Sequence, residues 1–123
     1  MKLLTLFFIL NATILLLHEI ESSYEREWEI LKLPCKITGF LLMHIPIIFL
    51  LFYGVIEIEK QSHVGLFLGI ITGIGGFIPF LVHKLLVARK DKFNLFISNI
   101  LIGMNMITGM ITVILSARLI IRL

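Results

Sequence analysis

The chain has 123 residues, of which 59% are hydrophobic and 15% charged, and its mean hydropathy is +1.05. A water-soluble domain of this size has no room for so much apolar surface. The formal charge of +3 comes from scattered Lys and Arg without a basic run or a platform of stacking aromatics, which argues against nucleic acid as a partner.

The expected fold is therefore all-α: an integral membrane four-helix bundle, one membrane domain over residues 1–123 with a short interfacial helix after the first span and membrane lipid around it. Apolar stretches predict spans at roughly 3–20, 37–56, 64–86 and 93–117, each near the ~20 residues that cross a ~30 Å hydrocarbon core as a helix. As helices, the spans satisfy their backbone polar groups internally.

The first stretch begins after Lys2 in the manner of a secretory signal. No small-x-small cleavage site follows, and the run passes straight into His18-Glu19-Ile20-Glu21, so a membrane span is expected. Asn11-Ala12-Thr13 matches a glycosylation sequon but lies inside that span, out of reach of a glycosylating enzyme. At 100° per residue, Asn11, His18, Ser22 and Glu25 share one face, with Glu21 at its edge.

Between roughly residues 20 and 33, Ile20, Tyr24, Trp28 and Leu31 recur at helical spacing. Glu21, Glu25, Arg26, Glu29 and Lys32 fill the rest of the wheel. This predicts an interfacial helix continuing the first span, its aromatic stripe against the membrane until Pro34 ends it. Cys35 has no second cysteine for a disulfide or a thiolate metal site and reads as a structural thiol.

Apart from the Thr38 and Tyr53 hydroxyls, the second span offers only His44, followed by Pro46, on an otherwise apolar surface. Glu57, Glu59 and His63 belong to a solvated turn at the opposite end. In the third span Gly65, Gly69 and Gly73 are spaced by four and Gly75-Gly76 follow, a pattern that lets a neighbouring helix approach closely. Gly73-Ile74-Gly75-Gly76 lacks the lysine of a phosphate-binding loop. Pro79 is expected to kink this helix and free a carbonyl near Gly75. Gly65, Thr72, Gly76, Pro79 and His83 share a face, as do Asn94, Ser98, Asn105, Thr108, Thr112 and Ser116 in the fourth span. Met104, Met106 and Met110 read as apolar filler.

An up-down-up-down path brings His18, His44 and His83 into one leaflet, with His63 in the other. Three imidazoles around zinc or iron leave a position for water, whose pKa falls to about 7 on zinc, and Glu21 or Glu25 would then serve as catalytic base. The set lacks two histidines on one helix at HExxH spacing, so its signal is chemical rather than diagnostic. Histidines hydrogen-bonded to neighbouring Asn, Ser or carbonyl groups are the alternative, and a proton relay, transport path or haem site are others.

His18-Glu19-Ile20-Glu21, followed by Tyr24, Trp28 and then His44-Ile45-Pro46, resembles the small bacterial four-helix membrane proteins of the H-x-x-E-E motif. The likeness would cover most of the chain and implies four spans and a His/Glu site, without a substrate. Ser22 stands where the second Glu of the motif would be, leaving Glu25 or Glu19 as substitutes.

Seven Lys and Arg flank the histidine side (Arg26, Lys32, Lys36, Lys84, Arg89, Lys90 and Lys92) against four on the other (Lys2, Lys60, Arg118 and Arg122). The positive-inside rule then puts both termini outside the cytoplasm, in a bacterial inner membrane. Two classes of function stay open: a metal-dependent membrane hydrolase acting on a lipid head-group bond, and a non-catalytic transport or assembly subunit that forms a homo-oligomer through its glycine-rich helix.

Overall fold

The computed structural model describes residues 1–87 and 96–123. Its helices are α1 (Leu3–Tyr24), α2 (Glu27–Ile30), α3 (Lys36–Glu59), α4 (His63–Gly75), α5 (Ile78–Val82) and α6 (Phe96–Arg122), with a π-helical turn His83–Val87 after α5. Four stretches are long and apolar enough to cross a membrane: α1, α3, the α4–α5 unit from His63 to Leu85, and α6. The fold is an all-α membrane four-helix bundle, with a short helix after the first span. Of the basic flank, Arg89, Lys90 and Lys92 lie outside the described residues, as does Asn94.

The polar stripes read from the sequence face inward. Asn11, His18 and Ser22 of α1 are buried, as are Ser98, Asn105, Thr108, Thr112 and Ser116 of α6. In a bilayer this is the expected sorting, since lipid tails offer polar side chains no hydrogen bond and a neighbouring helix does. Glycine sets how closely the helices approach. A Cβ on Gly73 would sit 2.6 Å from the Gly109 carbonyl oxygen and 2.6 Å from Val113 Cγ2, while one on Gly69 would collide with Ser116 Oγ and one on Gly65 with the Glu57 backbone.

The third span is broken rather than gently bent. α4 stops at Gly75 and α5 starts at Ile78, because Pro79 has no N–H to donate one turn back, to Gly75. At the α3–α4 hairpin, Gln61 adopts a left-handed conformation, φ 53°. Ser62 caps α4 there, accepting from Gly65 N–H at 3.0 Å and donating to Glu57 Oε2 at 2.6 Å. The N-terminus meets the same end of the bundle: Thr5 Oγ1 donates to Glu59 Oε2 at 2.5 Å, and Lys2 Nζ to the Glu59 carbonyl at 2.5 Å.

The expected single interfacial helix over 20–33 is corrected. Arg26 takes a left-handed backbone, φ 55°, which separates α1 from the four-residue α2 and resets the helical phase. Ile20 and Tyr24 consequently face outward while Trp28 and Ile30 are buried, so the predicted stripe is split between two surfaces. α3 is the outer helix of the bundle, with 22% of its apolar window buried against 39% for α1.

Candidate functional site

His44 reaches across from α3 and pairs with Glu19 of α1, Nε2 to Oε2 at 2.7 Å. Its other nitrogen, Nδ1, lies 2.7 Å from the Phe40 carbonyl oxygen. That oxygen only accepts, so Nδ1 carries a hydrogen, and one hydrogen joins Nε2 to Glu19, given either by the imidazolium to the carboxylate or by the carboxylic acid to the imidazole. The Phe40 ring lies against His44, centroids 4.2 Å apart, and Trp28 of α2 packs on Phe40 at 5.7 Å. An aromatic column thus closes the interfacial end of the pair.

One turn away, His18 and His83 bring their rings to 5.2 Å, tilted by 54°. Ser22 Oγ lies 3.3 Å from His18 Nε2 and also hydrogen-bonds the buried Glu27 carboxyl. Since the hydroxyl has one hydrogen and donates it to Glu27, it accepts from His18 Nε2–H. Burial holds the Glu27 carboxyl above the usual carboxylate range, and the bond from Ser22 pulls partly the other way. Glu21 is turned to the opposite neighbour, accepting from Ser98 Oγ of α6. Glu25 is half-buried at the end of α1.

The structure therefore places His18, His44 and His83 at one end of the bundle, with His63 at the start of α4 at the other. It divides them into a His18–His83 pair and a His44–Glu19 pair. With both ring nitrogens engaged, His44 has no lone pair directed at a shared centre with the other two. Among the described residues, no group of three or more His, Cys, Asp or Glu side chains is placed to hold a metal ion. Glu19 is the site residue missing from the predicted polar face: it lies 100° from His18 on the wheel, off the stripe and toward α3.

Two lipid-facing cavities meet at Glu19. One, about 360 Å³, runs between α1 and α3 and is lined by Leu16, Glu19, Ser23, Phe40, His44 and Ile48, among others. The second, about 300 Å³, lies among α1, α3 and the α4–α5 break, with Leu16, Glu19, Ile47, Ile71, Gly75 and Pro79 in its wall. Leu16 and Glu19 belong to both. Each cavity is apolar apart from its few polar wall groups, and Glu19 is the polar residue common to both.

A family model described as a family of unknown function, DUF6713, matches residues 4–119. The chain belongs to the DUF6713 family. No curated protein and no solved structure matches it. The match to DUF6713 spans all four membrane helices and both halves of the Glu19–His44 pair.

Proposed function

We propose that this DUF6713 protein takes the chain of a lipid-like amphiphile laterally from the bilayer, and that Glu19 and His44 exchange a proton with its polar end. The observation that carries this reading is a hydrogen-bonded carboxylate–imidazole pair whose carboxylate, Glu19, lines two apolar cavities and whose imidazole, His44, lines one of them. Glu19 lies five residues before the end of α1 and His44 eight residues into α3, about 8 and 12 Å along helices rising 1.5 Å per residue. Measured from those helix ends, the pair lies inside the hydrocarbon region toward one interface, so an amphiphile's polar end would be drawn below the headgroup level to reach it. Intramembrane ionisable groups favour function over ornament, and a few polar groups in an otherwise apolar pocket are the usual form of a ligand site.

A hydrolase acting on a head-group bond is the enzymatic version of this reading, with the pair as general acid and base. Glu21, bound to Ser98, and Glu25 would then shape the entrance. A second reading, favoured by the 5.2 Å approach of His18 and His83, is zinc or iron held there. The basic flank supports an inner-membrane orientation with both termini outside the cytoplasm; terminal reporter fusions active in the cytoplasm would reverse it.

Native mass spectrometry after mild detergent extraction tests the proposal. The wild type is expected to retain about one lipid per chain, Glu19→Leu to lose it, and both to be free of metal. Equal lipid retention by the two proteins would overturn the reading. Stoichiometric zinc or iron that disappears in His83→Ala would replace it with the metal reading.

A further inference from the structure

Asn105 is fully buried on the inward face of α6, and neither its Nδ2 nor its Oδ1 has a hydrogen-bond partner among the described residues. On the same face Ser116 Oγ, two turns beyond Thr108, is likewise buried without a partner among the described residues, while the nearer neighbours are engaged. Ser98 donates to Glu21 and Thr108 donates to Asn11 Oδ1 at 3.1 Å. Asn11 in turn donates to the Thr72 carbonyl at 2.9 Å, and Thr112 donates to the Thr108 carbonyl at 2.7 Å. Asn105 lies nine residues into α6, about 14 Å along the axis and so near the middle of a ~30 Å hydrocarbon core. An unmet amide there is costly, because the bilayer core offers it no replacement partner.

The backbone of Asn105 stands against the break in the third span. A Cβ on Gly76 would lie 2.7 Å from the Asn105 carbonyl oxygen and 2.8 Å from Asn11 Oδ1. This is also where Pro79 leaves the Gly75 carbonyl without its helical donor. Unpartnered donor and acceptor atoms on Asn105 and a freed carbonyl on the facing helix thus occur at one level of the bundle, where glycine lets the Gly76 and Asn105 backbones come into close contact.

We propose that this level is a binding site for internal water, held by the Asn105 carboxamide at the α4–α5 break. The amide itself selects the ligand. A monovalent cation would satisfy Oδ1 and leave the Nδ2 hydrogens facing a positive charge, whereas water both donates and accepts. Buried waters of this kind typically make about three hydrogen bonds to polar groups that are otherwise unmet, and broken membrane helices are tolerated where such partners resatisfy the backbone. The site is separate from the Glu19–His44 pair and does not depend on the function proposed for it.

The test is water-to-amide magnetisation transfer by NMR on the full chain in lipid nanodiscs. The Asn105 side-chain NH₂ is assigned through its own Cβ in the wild-type protein, so no variant has to fold. A cross-peak between water and the Asn105 NH₂, unchanged when sodium chloride is exchanged for choline chloride, is the expected result. Absence of transfer would show a dry core and overturn the proposal. A sodium-dependent shift of that NH₂ would overturn it in favour of a cation.

Discussion

Glu27 extends the acid chemistry of the cluster beyond the spans, and its burial has a definite pH signature. A carboxyl whose folded pKa is raised binds its proton more tightly when folded than when unfolded. The stability this contributes is fully present below the unfolded carboxyl range and is lost as pH rises through the folded pKa. Between about pH 4 and pH 8, the wild-type melting temperature in detergent should therefore fall relative to that of Glu27→Gln, which keeps the side chain neutral throughout. Parallel melting curves would show that Glu27 ionises without cost. At this scale the sequence exposed His18, His44 and His83, because histidines stand out in apolar spans. Glu19 was obscured by its place off the polar face of α1, which serves α6 while Glu19 serves α3. The one imidazole on the otherwise apolar second span, His44, was the available sign that α1 must offer it a partner.

The helices are held by glycine contacts that can be tested in pairs. Ala at Gly73 must displace either the Gly109 carbonyl or Val113, and such overpacking costs about 1–3 kcal/mol. Gly103, on the same span as Gly109, has open space where a Cβ would stand, with nothing within 4 Å. Ala there should be neutral or stabilise by about 0.5–1 kcal/mol through helix propensity alone. Thermal unfolding of the two variants in one detergent compares them directly, and equal melting temperatures would remove Gly73 from the α4–α6 contact. The spacing of Gly65, Gly69 and Gly73 made this contact legible, as Pro79 did the break. The left-handed turn at Arg26 was not legible, since neither Gly nor Pro marks it and nothing in the pattern interrupts the helical spacing of Ile20, Tyr24 and Trp28. Polar flanking residues satisfy many local conformations equally, and there packing of Trp28 on Phe40 decides.

Across the molecule, α1, α6 and the interrupted third span form the close-packed part, and α3 is the outer helix, packed through Leu51 and Ile58 toward one end and through Phe40 and His44 toward the other. Phe8 packs against Gly54, and the Glu19–His44 bond ties α1 to α3 beside the two cavities whose walls share Glu19. Hydropathy sufficed to predict four spans because the bilayer permits so few arrangements of the backbone. It did not foretell the cavities, whose walls combine residues from separate spans that hydropathy alone does not bring together. The most direct measurement is photo-crosslinking in phosphatidylcholine vesicles carrying a diazirine on the acyl chain, with adducts mapped by peptide mass spectrometry. If a lipid chain enters between α1 and α3, adducts concentrate at Leu16, Ile48 and Ile71 and fall several-fold in Leu16→Trp, which fills the boundary shared by the cavities. Adducts spread evenly over the outward residues Met104, Ile107 and Met110, and unaffected by Leu16→Trp, would contradict lateral entry of a lipid chain.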